Sequence, residues 1–238
     1  MEAAGSEGMV AEPSAQTRRS QRFRIEPMRI EHIPVIGAIE RRCFAQPWPQ
    51  NAYRREIQSN KMAHYFIARV VESDEPTPVA DVRRSVAGGE NGLFGRLSRL
   101  LRGPLVPPPS PALEAELRSI VGYAGLWLMT DEAHITTIAV DPDFQGNGIG
   151  ELLVVALIDR AKQIGARWLT LEVRVTNDVA QRLYEKYTFK EMGIRRRYYS
   201  DNGEDALVMW TDPIDSDTFQ STLARNREAL TRRLGPYD

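Results

Sequence analysis

The run Asp141-Pro142-Asp143-Phe144-Gln145-Gly146-Asn147-Gly148-Ile149-Gly150 joins an apolar, strand-like stretch over residues 134–140 to a helix-like stretch over 151–165. A glycine-rich turn that leaves a strand and opens a helix presents several main-chain N–H groups at the positive end of a helix dipole, and that arrangement holds phosphate. Glycine also lets the backbone approach an anion with no Cβ in the way. By spacing alone the run reads equally as a phosphate cradle or as a plain tight turn. It is not a P-loop, because Gly150 is followed by Glu151, Leu152 and Leu153 instead of Lys and Ser or Thr. A dinucleotide fingerprint passes this first test, since Glu172 stands about 20 residues on, where an acidic residue would hold a ribose.

The finer pattern is more specific. Gln145-x-x-Gly148-x-Gly150, preceded by Ala139-Val140-Asp141-Pro142, resembles the acetyl-CoA-binding loop of the GNAT acetyltransferase superfamily, whose motif is Gln or Arg, two residues, Gly, one residue, Gly or Ala. The likeness continues through Trp168-Leu169-Thr170-Leu171-Glu172-Val173-Arg174, Asn177, Ala180, Leu183-Tyr184-Glu185-Lys186, Phe189 and Ile194-Arg195-Arg196-Arg197-Tyr198-Tyr199. This longer pattern resembles the RimI-type ribosomal-protein-alanine N-acetyltransferases, over residues 24–71 and 119–213. One departure is Thr188, where the family usually has Gly before the Phe that matches Phe189.

The resemblance implies acetyl-CoA as co-substrate and no metal. It implies that the diphosphate lies on main-chain donors of Gln145, Gly146, Asn147, Gly148, Ile149, Gly150 and Glu151, with Ile138, Ala139 and Val140 lining the pantetheine arm. In the family that strand edge bonds the pantetheine amides through its main chain, so residue type matters little there. Glu172 matches the general-base position, Tyr184 the acid that protonates the departing CoA sulfur, and Asn177 a cofactor contact. An α-amine with a pKa of roughly 7.7–8 is mostly protonated at neutral pH and needs such a base. On the residues alone, Glu172 is the outward member of a Leu-Glu-Val alternation, Tyr184 a core ring and Asn177 a helix cap.

Substrate choice is expected from two aromatic walls, Phe44 and Trp48 on one side and Tyr198 and Tyr199 on the other. Arg195, Arg196 and Arg197 read as an attraction for an acidic segment or the cofactor's phosphates, or as a solvated strand face. The implied activity is transfer of acetyl to a protein N-terminus, an N-terminal alanine of a small-subunit ribosomal protein in particular. Attack is expected to be direct, because Cys43 lies far in sequence from the loop and no other nucleophile stands out. Alternatives are a GNAT enzyme for lysine side chains or small-molecule amines, a dinucleotide-dependent oxidoreductase, and a non-catalytic acyl-CoA-binding or scaffold module.

The elements around these residues predict a mixed α/β fold. A formal net charge of -1 over 238 residues gives no global pull toward nucleic acid or an anionic membrane. The single cysteine forbids an internal disulfide, and His32, His64 and His134 lack metal-site spacing. No apolar run is long enough to span a bilayer and the N-terminus is not a secretory signal, so a cytoplasmic protein without a membrane span is expected.

Residues 1–20 read as a disordered tail. Residues 21–213 form the acetyltransferase domain, interrupted by a Pro/Gly/Arg-rich flexible insert over 72–118 that carries one amphipathic stretch around Leu93–Leu101. Within the domain the patterns give a strand, two helices, three strands, a helix, a strand parallel to the 134–140 strand, a helix capped by Asn177, and a closing hairpin around Asp201-Asn202-Gly203. That is the GNAT order: a mostly antiparallel sheet splayed at one parallel pair, with helices on both faces. It also disfavours the dinucleotide reading, since the glycine turn sits mid-chain after antiparallel strands. Residues 214–238 read as a solvated, charged C-terminal helix.

Overall fold

The computed structural model describes residues 22–71 and 110–237. The expectations for the 1–20 tail and for insert residues 72–109, the amphipathic stretch included, lie outside the described residues.

In chain order the elements are β1 (Arg22–Pro27), α1 (Ile33–Cys43), α2 (Gln50–Ser59), β2 (Ala63–Val71), α3 (Pro111–Ser119), β3 (Ile120–Met129) and β4 (Glu132–Val140). There follow α4 (Ile149–Gln163), β5 (Trp168–Arg174), α5 (Asp178–Glu185), β6 (Lys190–Tyr199), β7 (Glu204–Trp210) and α6 (Asp217–Leu234). The strands make one seven-stranded sheet in the order β1-β2-β3-β4-β5-β7-β6, antiparallel throughout except for β4 and β5.

Each face of the sheet carries its own core. Val35, Ile36 and Ile39 of α1 and Tyr53 of α2 pack with Tyr65, Ile67 and Tyr123 of the central strands on one face. On the other, Leu152, Leu153, Val155, Leu157 and Ile158 of α4 cover Ala124, Leu126, Leu169 and Leu171. Burial of one such Leu or Ile side chain stabilises by roughly 1.5–3 kcal/mol. The central β3 is buried from Ile120 to Leu126, and its small residues there are a packing requirement: a Cβ on Gly125 would stand 2.2 Å from the Tyr65 ring.

Two expectations are corrected. The flexible insert does not extend to residue 118, because Pro111–Ser119 is helical: Ser110 Oγ caps it by accepting from Leu113 N at 3.3 Å, and Leu117 is buried. Pro111 stands in the first turn, where its missing N–H costs nothing and its fixed φ favours the helix. The C-terminal helix is not a solvated appendage either. Phe219, Leu223, Leu230 and Leu234 recur on one face of α6 and are buried in the α4 core, so the surrounding charges belong only to its outer side.

Candidate active site

The sheet forks at its parallel pair. β4 pairs with β5 only over Glu132↔Trp168, Ala133↔Leu169 and His134↔Thr170, while β4 stays with β3 to Val140 and β5 stays with β7 to Arg174. The cause is local. Gly125 pairs Thr137 and Leu126 pairs Ile135, so Thr136 is an extra residue in β4, and such a bulge bends the strand that carries it. Beyond the fork, the β4 edge over residues 135–140 faces β5 with no strand bonded to it.

Glu172 sits at this fork. Its side chain is 7% exposed, with His134 Nε2 at 3.2 Å from Oε2 and Arg195 Nη2 at 3.1 Å from Oε1. His134 is anchored through Nδ1 to Thr170 Oγ1 at 2.9 Å, and Thr170 donates to Glu132. Burial pushes the Glu172 carboxyl up, but the His134 hydrogen bond and the charges of His134 and Arg195 outweigh it, leaving it below its ordinary value. It is therefore ionised at neutral pH. Tyr184, on α5, packs its ring 5.6 Å from that of Phe189, and no described residue bonds its hydroxyl. Burial, with a smaller push from Tyr199, raises its phenol well above the ordinary value, so it stays protonated.

The glycine turn has the form expected of an anion cradle. Gly146 and Gly148 have φ of 77° and 84°, a left-handed conformation in which a β-carbon is strained, and Gly148 is the N-cap of α4. Leu152 N makes the first helical bond, to Gly148 O at 3.0 Å. Among the described residues no protein oxygen accepts from the N–H groups of residues 146–151. Asn147 Nδ2 stiffens the turn by donating to Phe144 O at 3.0 Å and Gln145 O at 3.2 Å, and Gln145 Nε2 donates to Val140 O at 3.0 Å.

The side chains of Ile149 and Glu151 point into the protein, so these residues offer a ligand only their N–H groups. Ile149 is 1% exposed; the Glu151 carboxylate is engaged by Lys186, by Tyr187 Oη at 2.8 Å and by Arg233 Nη2 at 2.6 Å. Gly150 is not sterically obligatory, since a Cβ there would meet Leu183 at an ordinary 3.7 Å.

The aromatic walls are held by charged hubs. Buried Glu40 accepts from Trp48 N and, at 2.5 Å each, from the two hydroxyls of Tyr53 and Tyr123, which fixes the α1–α2 loop. The Trp48 ring packs tilted against Tyr53, with centroids 5.5 Å apart, and Phe44 is exposed. Arg42 ties the end of α1 to the glycine turn, donating to Asp141 at 2.6 and 2.7 Å and to Asp143 at 2.9 Å. On the opposite wall Tyr199 lies 3.8 Å beneath the Arg174 guanidinium, which also bonds Asp201 and Glu204; Tyr198 is exposed and stands edge-on to Tyr199 at 5.2 Å. The walls meet where Ser200 Oγ donates to Gln46 Oε1 at 2.8 Å.

Of the residues singled out in the sequence, Glu172 meets Arg195 at the fork, and Asp141 and Asp143 of the glycine turn meet the end of α1 through Arg42. Ile138, Ala139 and Val140 form the free β4 edge, although the Val140 carbonyl is already taken by Gln145 and by Cys43 Sγ at 3.3 Å. Asn177 is the α5 cap, its Oδ1 accepting from Ala180 N at 3.1 Å. Of the arginine run, Arg195 pairs with Glu172, Arg196 with Asp205 at 2.6 Å, and Arg197 is a bulge residue at φ 51°.

Although Cys43 is far from the loop in sequence, its thiol lies against the end of β4. Burial and the neighbouring Asp141 push it up to about 11, so it is a poor nucleophile. His134, Glu40 and Arg42 were missed. His134 was legible in principle: once its strand is aligned parallel with β5, it opposes Thr170 and shares a face with Glu172.

The sheet thus forks beside a glycine-rich helix start whose N–H groups are unbonded among the described residues. Residues 103–189 match the Acetyltransferase (GNAT) family. Over 186 residues the chain is 34% identical to the putative [ribosomal protein bS18]-alanine N-acetyltransferase of Bacillus subtilis, spanning 78% of this chain and 93% of that protein. Over 152 residues it is 34% identical to the N-alpha-acetyltransferase RimI of Mycobacterium tuberculosis, spanning 62% of this chain and 83% of that protein. The crystal structure of the ribosomal-protein-S18-alanine N-acetyltransferase from Escherichia coli superposes with a TM-score of 0.56 at 26% identity, over 82% of this chain and 95% of that one. The chain belongs to the GNAT acetyltransferase family. It is an acetyl-CoA-dependent N-acetyltransferase. Among the described residues no His/Cys/Asp/Glu group could hold a metal ion, and no helix is long and apolar enough to cross a membrane.

Proposed function

We propose that the enzyme acetylates the α-amine of a protein N-terminus, with an N-terminal alanine of a bS18-type ribosomal protein as acceptor. The names of the relatives support the acceptor, and one observation carries the reading. It is the buried, ionised Glu172 carboxylate at the fork of the sheet, in a domain whose α1–α2 loop and β6–β7 hairpin are joined by Gln46 and Ser200. In this reading the bridge narrows the acceptor entrance, which favours the free end of an extended chain over an internal loop.

Acetyl-CoA supplies the activated carbonyl. The turn amides of residues 146–151 hold its phosphates and the β4 edge its amide-bearing arm. Glu172 attracts the acceptor ammonium, displacing the half-exposed Arg195, and takes the proton that frees the amine, while His134 fixes the carboxylate's orientation. As the new N–C bond forms and the C–S bond breaks, Tyr184 gives its proton to sulfur, and the second proton shed by the nitrogen passes through solvent to restore the Tyr184 phenol, while Glu172 returns its own proton to solvent. Attack is direct, with no covalent enzyme intermediate.

The test is mass spectrometry of peptides incubated with enzyme and acetyl-CoA. Acetylation of a peptide with the bS18 N-terminal sequence, lost when its α-amine is blocked and absent from internal lysines, supports the proposal. Equal modification of lysines or polyamines, or none of any acceptor, overturns it.

A further inference from the structure

Arg233 lies outside the 103–189 family match, on α6, yet it stands against the glycine turn. A Cβ on Gly148 would be 3.1 Å from its Nη2 and 3.6 Å from its Nε. It is held there by a docked helix, with Leu230 and Leu234 buried on either side of it and Asn226 Nδ2 donating to Lys186 O at 2.7 Å. Of its five N–H donors, the one on Nη2 that reaches Glu151 at 2.6 Å is accounted for, and the side chain is 53% exposed. Its Nη2 and Nε, and with them the positive charge, lie beside Gly148, one of the turn residues whose N–H is unbonded.

We infer that Arg233 is a phosphate-binding residue for acetyl-CoA, delivered to the glycine turn by the C-terminal helix. This rests on the reading of the turn as the cofactor's phosphate cradle. The chemistry fits in two ways. A planar guanidinium with free donors matches a phosphate, and its orientation is fixed before the ligand arrives. The same guanidinium, with Lys186, neutralises the carboxylate of Glu151 in the first turn of α4, which would otherwise oppose an anion bound at that helix start. The Glu151 pair thus leaves Arg233 oriented, with donors to spare.

Calorimetric titration of the full chain with acetyl-CoA and with acetyl-dephospho-CoA tests this. R233A is expected to weaken acetyl-CoA about tenfold, and R233K to weaken it less, with thermal melts verifying that each variant is folded. An equal loss with both ligands assigns the contact to the diphosphate; a loss confined to acetyl-CoA assigns it to the 3′-phosphate. In an E151Q background, where the ion pair is gone, R233A must still weaken binding. If it has no effect there, Arg233 serves only to neutralise Glu151 and the inference is overturned. G146D, which sets a carboxylate on the turn, separates the two ideas. If G146D binds acetyl-CoA as wild type does, the reading of the turn fails; if G146D weakens binding and R233A does not, only the role of Arg233 fails.

Discussion

Gln46 and Ser200, 154 positions apart in the chain, meet through a single 2.8 Å hydrogen bond that joins the α1–α2 loop to the β6–β7 hairpin. A neutral hydrogen bond at an exposed site contributes roughly 0.5–1.5 kcal/mol. S200A and Q46A are therefore expected to raise the acceptor-peptide KM by about two- to tenfold while leaving the acetyl-CoA KM unchanged. Steady-state kinetics with each substrate varied in turn checks this, and an equal effect on both KM values would mean that the bridge does not belong to the acceptor site.

Glu172 is held below its ordinary carboxylate value, so it is already ionised where an α-amine begins to lose its proton. Because Glu172 takes its proton from the bound ammonium, the rising limb of the rate against pH should follow this carboxylate, below its ordinary range, and not the acceptor amine near pH 8. E172Q is expected to lower kcat by about 10²–10⁴ at neutral pH and to move that limb toward the acceptor amine, near pH 8, while leaving the acetyl-CoA affinity unchanged. A mutant as fast as wild type removes Glu172 from the reaction.

The Tyr184 phenol is raised by burial and by Tyr199, which keeps it protonated up to and beyond pH 10. A falling limb from loss of this acid should therefore be absent below pH 10. Y184F should lower kcat by about 10²-fold or more at every pH from 6 to 10, with its loss smallest for thioester donors whose thiol is more acidic and needs less help to leave.

Thr188 has φ 66°, a left-handed conformation that a β-branched residue adopts only under strain, and its buried Oγ1 has no hydrogen-bond partner. It closes α5 just after Tyr184, whose carbonyl accepts from the N–H groups of Tyr187 and Phe189. T188G should stabilise the domain by about 1 kcal/mol, the relief of strain exceeding the entropic cost of glycine. A rise of about 2–4 °C in melting temperature is the expected reading, and a fall would mean that Thr188 packing outweighs its backbone cost.

Leu230 on α6 is fully buried against the α4 core. L230A is expected to cost about 2–5 kcal/mol in denaturant unfolding, as for any large-to-small change in a packed core. A loss near zero would instead match a helix lying loose on the surface.

Much of this site was readable beforehand because its chemistry is carried by local sequence. The 145–150 turn, the Asn177 cap and the strand bearing Glu172 each depend on neighbours within a few residues, and the structure keeps all three. What escaped were contacts across long separations. His134 meets Glu172 only through the register of a parallel pair, Arg42 reaches Asp141 only when α1 folds onto the end of β4, and Glu40 is a hub because Tyr53 and Tyr123 come from two other elements. The α6 stripe of Phe219, Leu223, Leu230 and Leu234 stands among many charges. A helix with one apolar face and many charges is what a docked surface helix looks like, and only the core it covers distinguishes it from a solvated one.

The three-pair junction at residues 132–134 and 168–170 makes β1 to β4 and β5, β7 and β6 nearly separate leaves, joined there and by the helix laid across them. Such a seam is the natural place for breathing motions, and a ligand wedged into it would act as a splint. Amide hydrogen exchange along β7, which carries none of the proposed cofactor contacts, should accordingly slow on adding acetyl-CoA.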